Sequence, residues 1–215
     1  MQQKIGLNIY QKQKSKNMIF KRLEEFQSII TNSICTTQKD IVEIEEALSI
    51  FKSYLLTTKK NNGLVYVIGN GGSAGIASHF CNDLIKALKI PANTLVDSNV
   101  LTCLANDFGY DSCYSEALKV NLKKQDLLVA ISSSGNSMNI IKAVKVANDK
   151  EAMAITLSGF DASNPLRQLG NLNIWLDRID YGLVEMGHLF ILHSLVDFFE
   201  KININKPCLV SSENA

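Results

Sequence analysis

Leu64-Val65-Tyr66-Val67-Ile68-Gly69-Asn70-Gly71-Gly72-Ser73 is the stretch on which the fold turns. Five apolar residues in a row, mostly β-branched or aromatic, read as a strand buried on both faces, as in a parallel sheet. The run halts at three glycines within five residues, which tolerate positive φ and let backbone N–H groups approach a ligand closely. Ser73 is the candidate N-cap of a helix predicted over about 74–86. Strand, glycine turn and helix N-terminus in succession favour a bound anion, most often phosphate. A plain tight turn before a capped helix uses the same residues, and the pattern is neither the P-loop nor the dinucleotide fingerprint. On the helix, His79 and Asp83 lie four residues apart and project from one face.

A second unit of this kind follows. Residues 127–131 form an apolar strand, Ser132-Ser133-Ser134-Gly135-Asn136-Ser137 a polar turn, and 138–148 a helix. Its four serines offer hydroxyl donors to a phosphate, and a serine-rich capped loop is the plainer alternative. Two such turns at matching ends of parallel strands open on the same sheet edge, which favours the anion reading. Further strands are predicted over 93–96, 154–157 and 172–176. A short helix over 100–104 ends at Asn106-Asp107-Phe108-Gly109-Tyr110, and Asp111 caps the next one, through Lys119.

Outward from this centre, two amphipathic helices are predicted over 18–34 and 40–57, the second capped by Thr36 or Thr37. They carry more apolar surface than one small sheet needs, which suits packing against another subunit. The last helix, over 183–201, is apolar nearly all round apart from Glu185, His188 and His193. A buried Glu or His needs a partner. Glu185 and His193 differ by roughly 80° of helical phase and the two histidines by about 140°, so the first pair shares a site more easily.

A chain of 215 residues suits one α/β domain, expected over 17–205 between a flexible arm (1–16) and a polar tail (206–215). A net charge of +1 gives no sign of a nucleic-acid-binding surface. Cys35, Cys81, Cys103, Cys113 and Cys208 are scattered without a CxxC pair, as expected of reduced thiols in a cytoplasm. The polar, lysine-rich start lacks the apolar core of a secretory signal, and no apolar run approaches the ~20 residues that span a bilayer. The expectation is a cytoplasmic protein without membrane or nucleic-acid partners.

Three motifs in order, Gly69-Asn70-Gly71-Gly72-Ser73, Asn106-Asp107-Phe108-Gly109 and Ile131-Ser132-Ser133-Ser134-Gly135-Asn136-Ser137, resemble the sugar isomerase (SIS) fold, in particular the phosphoheptose isomerases. The likeness runs from about residue 18 to 201. It implies a three-layer α/β fold, with a central five-stranded parallel sheet flanked by helices and an N-terminal helical extension. It also implies conversion of sedoheptulose 7-phosphate to D-glycero-D-manno-heptose 7-phosphate, as in lipopolysaccharide heptose biosynthesis, by a homotetramer with sites at subunit contacts. By position, Ser73, Ser132, Ser134 and Ser137 would hold the phosphate with Asn70 beside them. Gly71, Gly72 and Ser133 join them as substrate-binding candidates, and Asp107 would lie near the sugar.

The family's catalytic helix carries His-Phe-x-x-Glu, where this chain reads His79-Phe80-Cys81-Asn82-Asp83, one methylene shorter at the acid. The family's last helix offers Gln and, eight residues on, His; here these are Glu185 and His193. Some members bind zinc with this quartet, and His79, Asp83, Glu185 and His193 form an N₂O₂ set suited to a divalent metal. Isomerisation through an enediolate needs a base over the C–H and an acid at the neighbouring oxygen, roles assigned to Asp83 and His193. Ala74-Gly75-Ile76 replaces a more polar stretch. A non-catalytic SIS-domain scaffold and an isomerase of a different phosphosugar are the competing readings.

Overall fold

The computed structural model describes residues 17–201, so the expected arm, the tail and Cys208 lie outside the described residues. The predicted buried strand forms as β3 (Val65–Ile68), and its side chains alternate between two cores, as a pleated strand requires. Val65 and Val67 face one core, Tyr66 and Ile68 the other. The sheet also contains β4 (Ala92–Asn93), β5 (Leu127–Ser132), β6 (Met153–Ser158) and β7 (Leu172–Trp175). Pairings β4-β3-β5-β6-β7 are all parallel, giving the expected five-stranded parallel centre.

An antiparallel hairpin extends the sheet beyond β7. Its strands are β1 (Ile34–Thr37) and β2 (Ile41–Val42), and β1 pairs antiparallel with β7. The predicted helices over 18–34 and 40–57 therefore give up their facing ends. They become α1 (Met18–Thr31) and α2 (Ile44–Lys60). The β-branched pairs Thr36-Thr37 and Ile41-Val42 favour strand, and the Thr37 hydroxyl takes the Asp40 N–H at 3.1 Å, closing the hairpin turn rather than capping a helix.

Helices cover both faces of the sheet. On one lie α2, α3 (Gly72–Lys86) and α7 (Tyr181–Lys201), where Phe51 and Phe80 meet edge to face at 5.9 Å. On the other, α5 (Cys113–Asn121) and α6 (Met138–Asp149) bury Tyr114, Leu118, Ile140 and Val144 against Leu128 and Ala130. Between β4 and α5 runs α4 (Ser98–Phe108), capped by the Asp97 carboxylate and ended by Gly109 at φ +81°. The strand expected over 93–96 stops at Asn93, whose side chain accepts the Leu95 N–H at 2.7 Å in a tight turn with Leu95 at φ +56°.

Among the described residues, only Tyr181–Phe199 is long and apolar enough to cross a membrane; half of it is buried, as in a core helix. Glu185, His188 and His193 interrupt it, so the sequence holds no unbroken apolar run of that length here. Asp180 opens α7 by accepting the Leu183 N–H at 3.0 Å and pairs with Arg22 of α1 at 2.7 Å. The Arg22 hydrogen bond, above all, pulls the Asp180 carboxyl down to about 2.

Candidate active site

Both predicted turns lie at the C-terminal ends of neighbouring parallel strands, β3 and β5, and open on one cavity of about 230 Å³. The first differs locally from expectation. Gly71, at φ +53°, takes the N-cap position of α3, and Ser73 sits buried within the first turn. Gly69 must be glycine, since a Cβ there would stand 2.6–2.8 Å from Ser73. In the second turn, Gly135 takes φ +65° and donates its N–H to the Ser132 carbonyl at 3.0 Å.

Neither helix start carries a side-chain cap. Ser137, at the N-cap of α6, instead accepts a 3.3 Å hydrogen bond from the Ser132 hydroxyl. The N–H groups of Gly72 and Ser73 in α3 and of Met138 and Asn139 in α6 are thus left to a ligand at the positive ends of two helix dipoles, while those of Ala74 and Ile140 are already bonded within the turns. The Ser133 hydroxyl, 4 % exposed on the cavity wall, has no partner. A buried hydroxyl without a partner costs free energy until a ligand oxygen meets it.

Two asparagines join the turns. Asn70 and Asn139 each donate an amide N–H to the other's oxygen at 2.9 Å, and the Tyr110 hydroxyl adds a 2.9 Å bond to Asn70. Sequence reasoning missed Asn139, Tyr110 and the cavity residue Tyr181. No local pattern marks them, because each acts across a long chain separation. Asp107, expected near the sugar, is exposed at the end of α4, bonded to Asn106 and Cys103, and does not line this cavity.

The four candidate metal or proton-transfer residues divide three to one. His79 and Asp83, one turn apart on α3, meet His193 of α7: Asp83 Oδ2 is 3.7 Å from His79 Nε2 and 3.3 Å from His193 Nδ1. The imidazole rings touch edge to face at 4.6 Å, and one ligand atom from each residue lies within 4.8 Å of the others. Two imidazoles and a carboxylate so arranged fit a zinc-type ion. Cys81 of the same helix packs into the hydrophobic core instead, where burial pushes its thiol up to about 12.

Glu185 lies elsewhere. Its carboxylate rests against Gly72 in the wall of the cavity, where the same α3 begins. Helical phase allowed Glu185 and His193 a common face, but eight residues separate them by about 12 Å along the axis. His188 is fully buried and turned inward, its Nε2 donating to the Ser158 carbonyl at 3.1 Å.

Desolvation pulls His188 down to about 4, against the opposing pull of that hydrogen bond. The unfolded chain protonates near 6.5, so the stability from a neutral His188 is complete above that pH and drains away as pH falls toward 4. The expected loss is roughly 3 kcal/mol. Urea unfolding at pH 7 and pH 4 should show it, with a shallower pH dependence in His188→Gln.

Against this geometry stand the relatives. The SIS domain family matches residues 23–159. A phosphoheptose isomerase of Helicobacter pylori is 31% identical over 170 residues, covering 76% of this chain and 88% of that one. Another from Cytophaga hutchinsonii is 33% identical over 189 residues, covering 85% and 96%. The chain belongs to the SIS-domain phosphoheptose isomerases. The solved phosphoheptose isomerase of Neisseria gonorrhoeae, 24% identical, superposes with a TM-score of 0.70 over 93% of this chain and 98% of that one, a likeness of fold.

Proposed function

We propose that the protein isomerises sedoheptulose 7-phosphate to D-glycero-D-manno-heptose 7-phosphate. The names of its relatives supply the reaction, and one spacing supports it. Six residues separate Ser73 from His79 and ten separate it from Asp83, which puts the trio about 9–15 Å along α3 from the phosphate turns. From phosphorus to the reacting C2 of an extended heptose phosphate is seven bonds, roughly 9 Å. Phosphate held by the turns therefore brings C1 and C2 toward Asp83 and His193.

The chemistry needs one proton moved between carbons and one between oxygens. Asp83 takes the C1 proton and returns it to C2. With the first transfer His193 protonates the carbonyl oxygen at C2, giving the enediol; with the second it takes back the proton of the O1 hydroxyl, leaving the C1 aldehyde. Their 3.3 Å separation lets one group compensate charge on the other. His79, Asp83 and His193 would hold zinc, which when bound supplies Lewis-acid polarisation of the carbonyl.

Phosphate recognition falls to Ser73, Ser132, Ser133, Ser134 and Ser137, with the N–H groups of Gly71 and Gly72 and with Asn70 bracing the turn. Ser132→Ala and Ser134→Ala should each weaken phosphosugar binding by about 1–3 kcal/mol in calorimetry. Unchanged affinity in the double variant, or no turnover of sedoheptulose 7-phosphate by the wild type with or without zinc, would remove the assignment.

The working form in this proposal is a homotetramer in the cytoplasm. Met18, Ile19 and Leu23 of α1 and Met186 and Phe190 of α7 are exposed, an apolar surface beyond what one domain needs. The exposed Asp107 would then approach the sugar from a neighbouring subunit. Light scattering at micromolar concentration should report four chains; a monomer rejects the shared site. The four described cysteines are free thiols, in keeping with a reducing compartment.

A further inference from the structure

We propose that Glu185 is a built-in anion that competes with the substrate's phosphate for the start of α3, and so sets how weakly the cavity holds phosphorylated ligands. This rests on the phosphate reading of the cavity above. A Cβ on Gly72 would stand 2.3–2.5 Å from all three atoms of the Glu185 carboxyl group, so the carboxylate lies flush on the first residue of the helix. That is where the helix dipole favours negative charge.

The surroundings of the carboxylate point the same way. Glu185 is the one charged residue lining the cavity; asparagine, glycines, serines, Ile131 and Tyr181 make up the rest. No ion pair among the described residues includes it. Nor does it satisfy the buried Ser133 hydroxyl, which stays unpartnered in the same wall. The cavity thus keeps donors for an incoming phosphate while a fixed negative charge sits at its edge. A phosphate dianion entering must sit beside that charge or drive it off Gly72, and either event weakens binding.

Calorimetric titration with inorganic phosphate and with sedoheptulose 7-phosphate, in EDTA at one pH, tests this. Glu185→Gln and Glu185→Met should both bind about tenfold tighter than wild type, at low salt. The methionine variant has no amide donor, so a gain there is relief of repulsion rather than a new hydrogen bond. The gap should narrow on going from about 0.02 M to 0.5 M salt, as screening replaces repulsion. Glu185→Asp, which keeps the charge, should stay near wild type. If wild type binds phosphate and Glu185→Met binds no tighter, or only Glu185→Gln improves, this proposal falls and the phosphate reading stands. If none of the four proteins binds either ligand, both fall together.

Discussion

Asp83→Asn is expected to lower isomerase turnover by about 10²–10⁴-fold, with the unfolding midpoint left near that of wild type. The substitution keeps shape and removes the group that takes a proton from carbon. Asp83 is only partly buried and meets both histidines, so the amide leaves no buried charge stranded. Asp83→Glu gives the opposite contrast. It restores the length the family uses and moves the carboxylate by about one bond, a shift to which proton transfer is sensitive. Activity in the glutamate variant with loss in the asparagine variant assigns the proton to this carboxylate. Full activity of Asp83→Asn in steady-state assays would place the base elsewhere. His193→Ala should lose turnover on a similar scale and lower the zinc content of metal-loaded protein.

Gly135→Ala should cost roughly 3–5 kcal/mol of folding stability, from a left-handed backbone and an overpacked turn. Gly135 stands at φ +65°, and its new methyl would meet Asn164 Oδ1 at 1.9 Å. Asn164 cannot simply step aside. It is 2 % exposed, donates to the carbonyls of Asp161 at 2.7 Å and Gly159 at 3.1 Å, and accepts the Arg167 N–H at 3.1 Å. Moving it breaks a network that ties the serine turn to the end of β6. Gly71→Ala is the control: at φ +53° and ψ −122° with nothing within 4 Å of the added Cβ, it carries only the backbone penalty, about 1–3 kcal/mol. Urea denaturation of the two variants should separate them clearly; equal midpoints would refute the steric argument.

The parts of the molecule visible in its sequence are those whose cause is local. Val65–Ile68 and Leu127–Ser132 announce themselves because a doubly buried strand needs an unbroken apolar run. The turns after them are visible because positive φ needs glycine. The hairpin Ile34–Val42 was hidden by its brevity: four residues and two, bounded by helical periodicity on each side. The meeting of His79, Asp83 and His193 was half visible. Spacing put the first two on one face, and the exception in an apolar helix pointed to the third. Glu185 shows where such reasoning stops. Phase along α7 says which residues share a face, but which neighbour each meets depends on how α3 is laid alongside. Asn139 and Tyr110 were invisible for a related reason, since a hydrogen bond across 69 or 40 residues leaves no periodic trace.

The hairpin that the sequence concealed also bears on how the chain avoids sticking to its own copies. Parallel sheets assemble from distant segments and fold slowly, so their rims stay available to other chains for longer. Here the outermost strands are the two-residue β2 on one side and the two-residue β4 on the other. An incoming strand finds almost no free backbone ladder to copy at either margin. The long, buried strands that would template a fibre are held in the middle, and the sheet closes its own rims by being shortest where it ends.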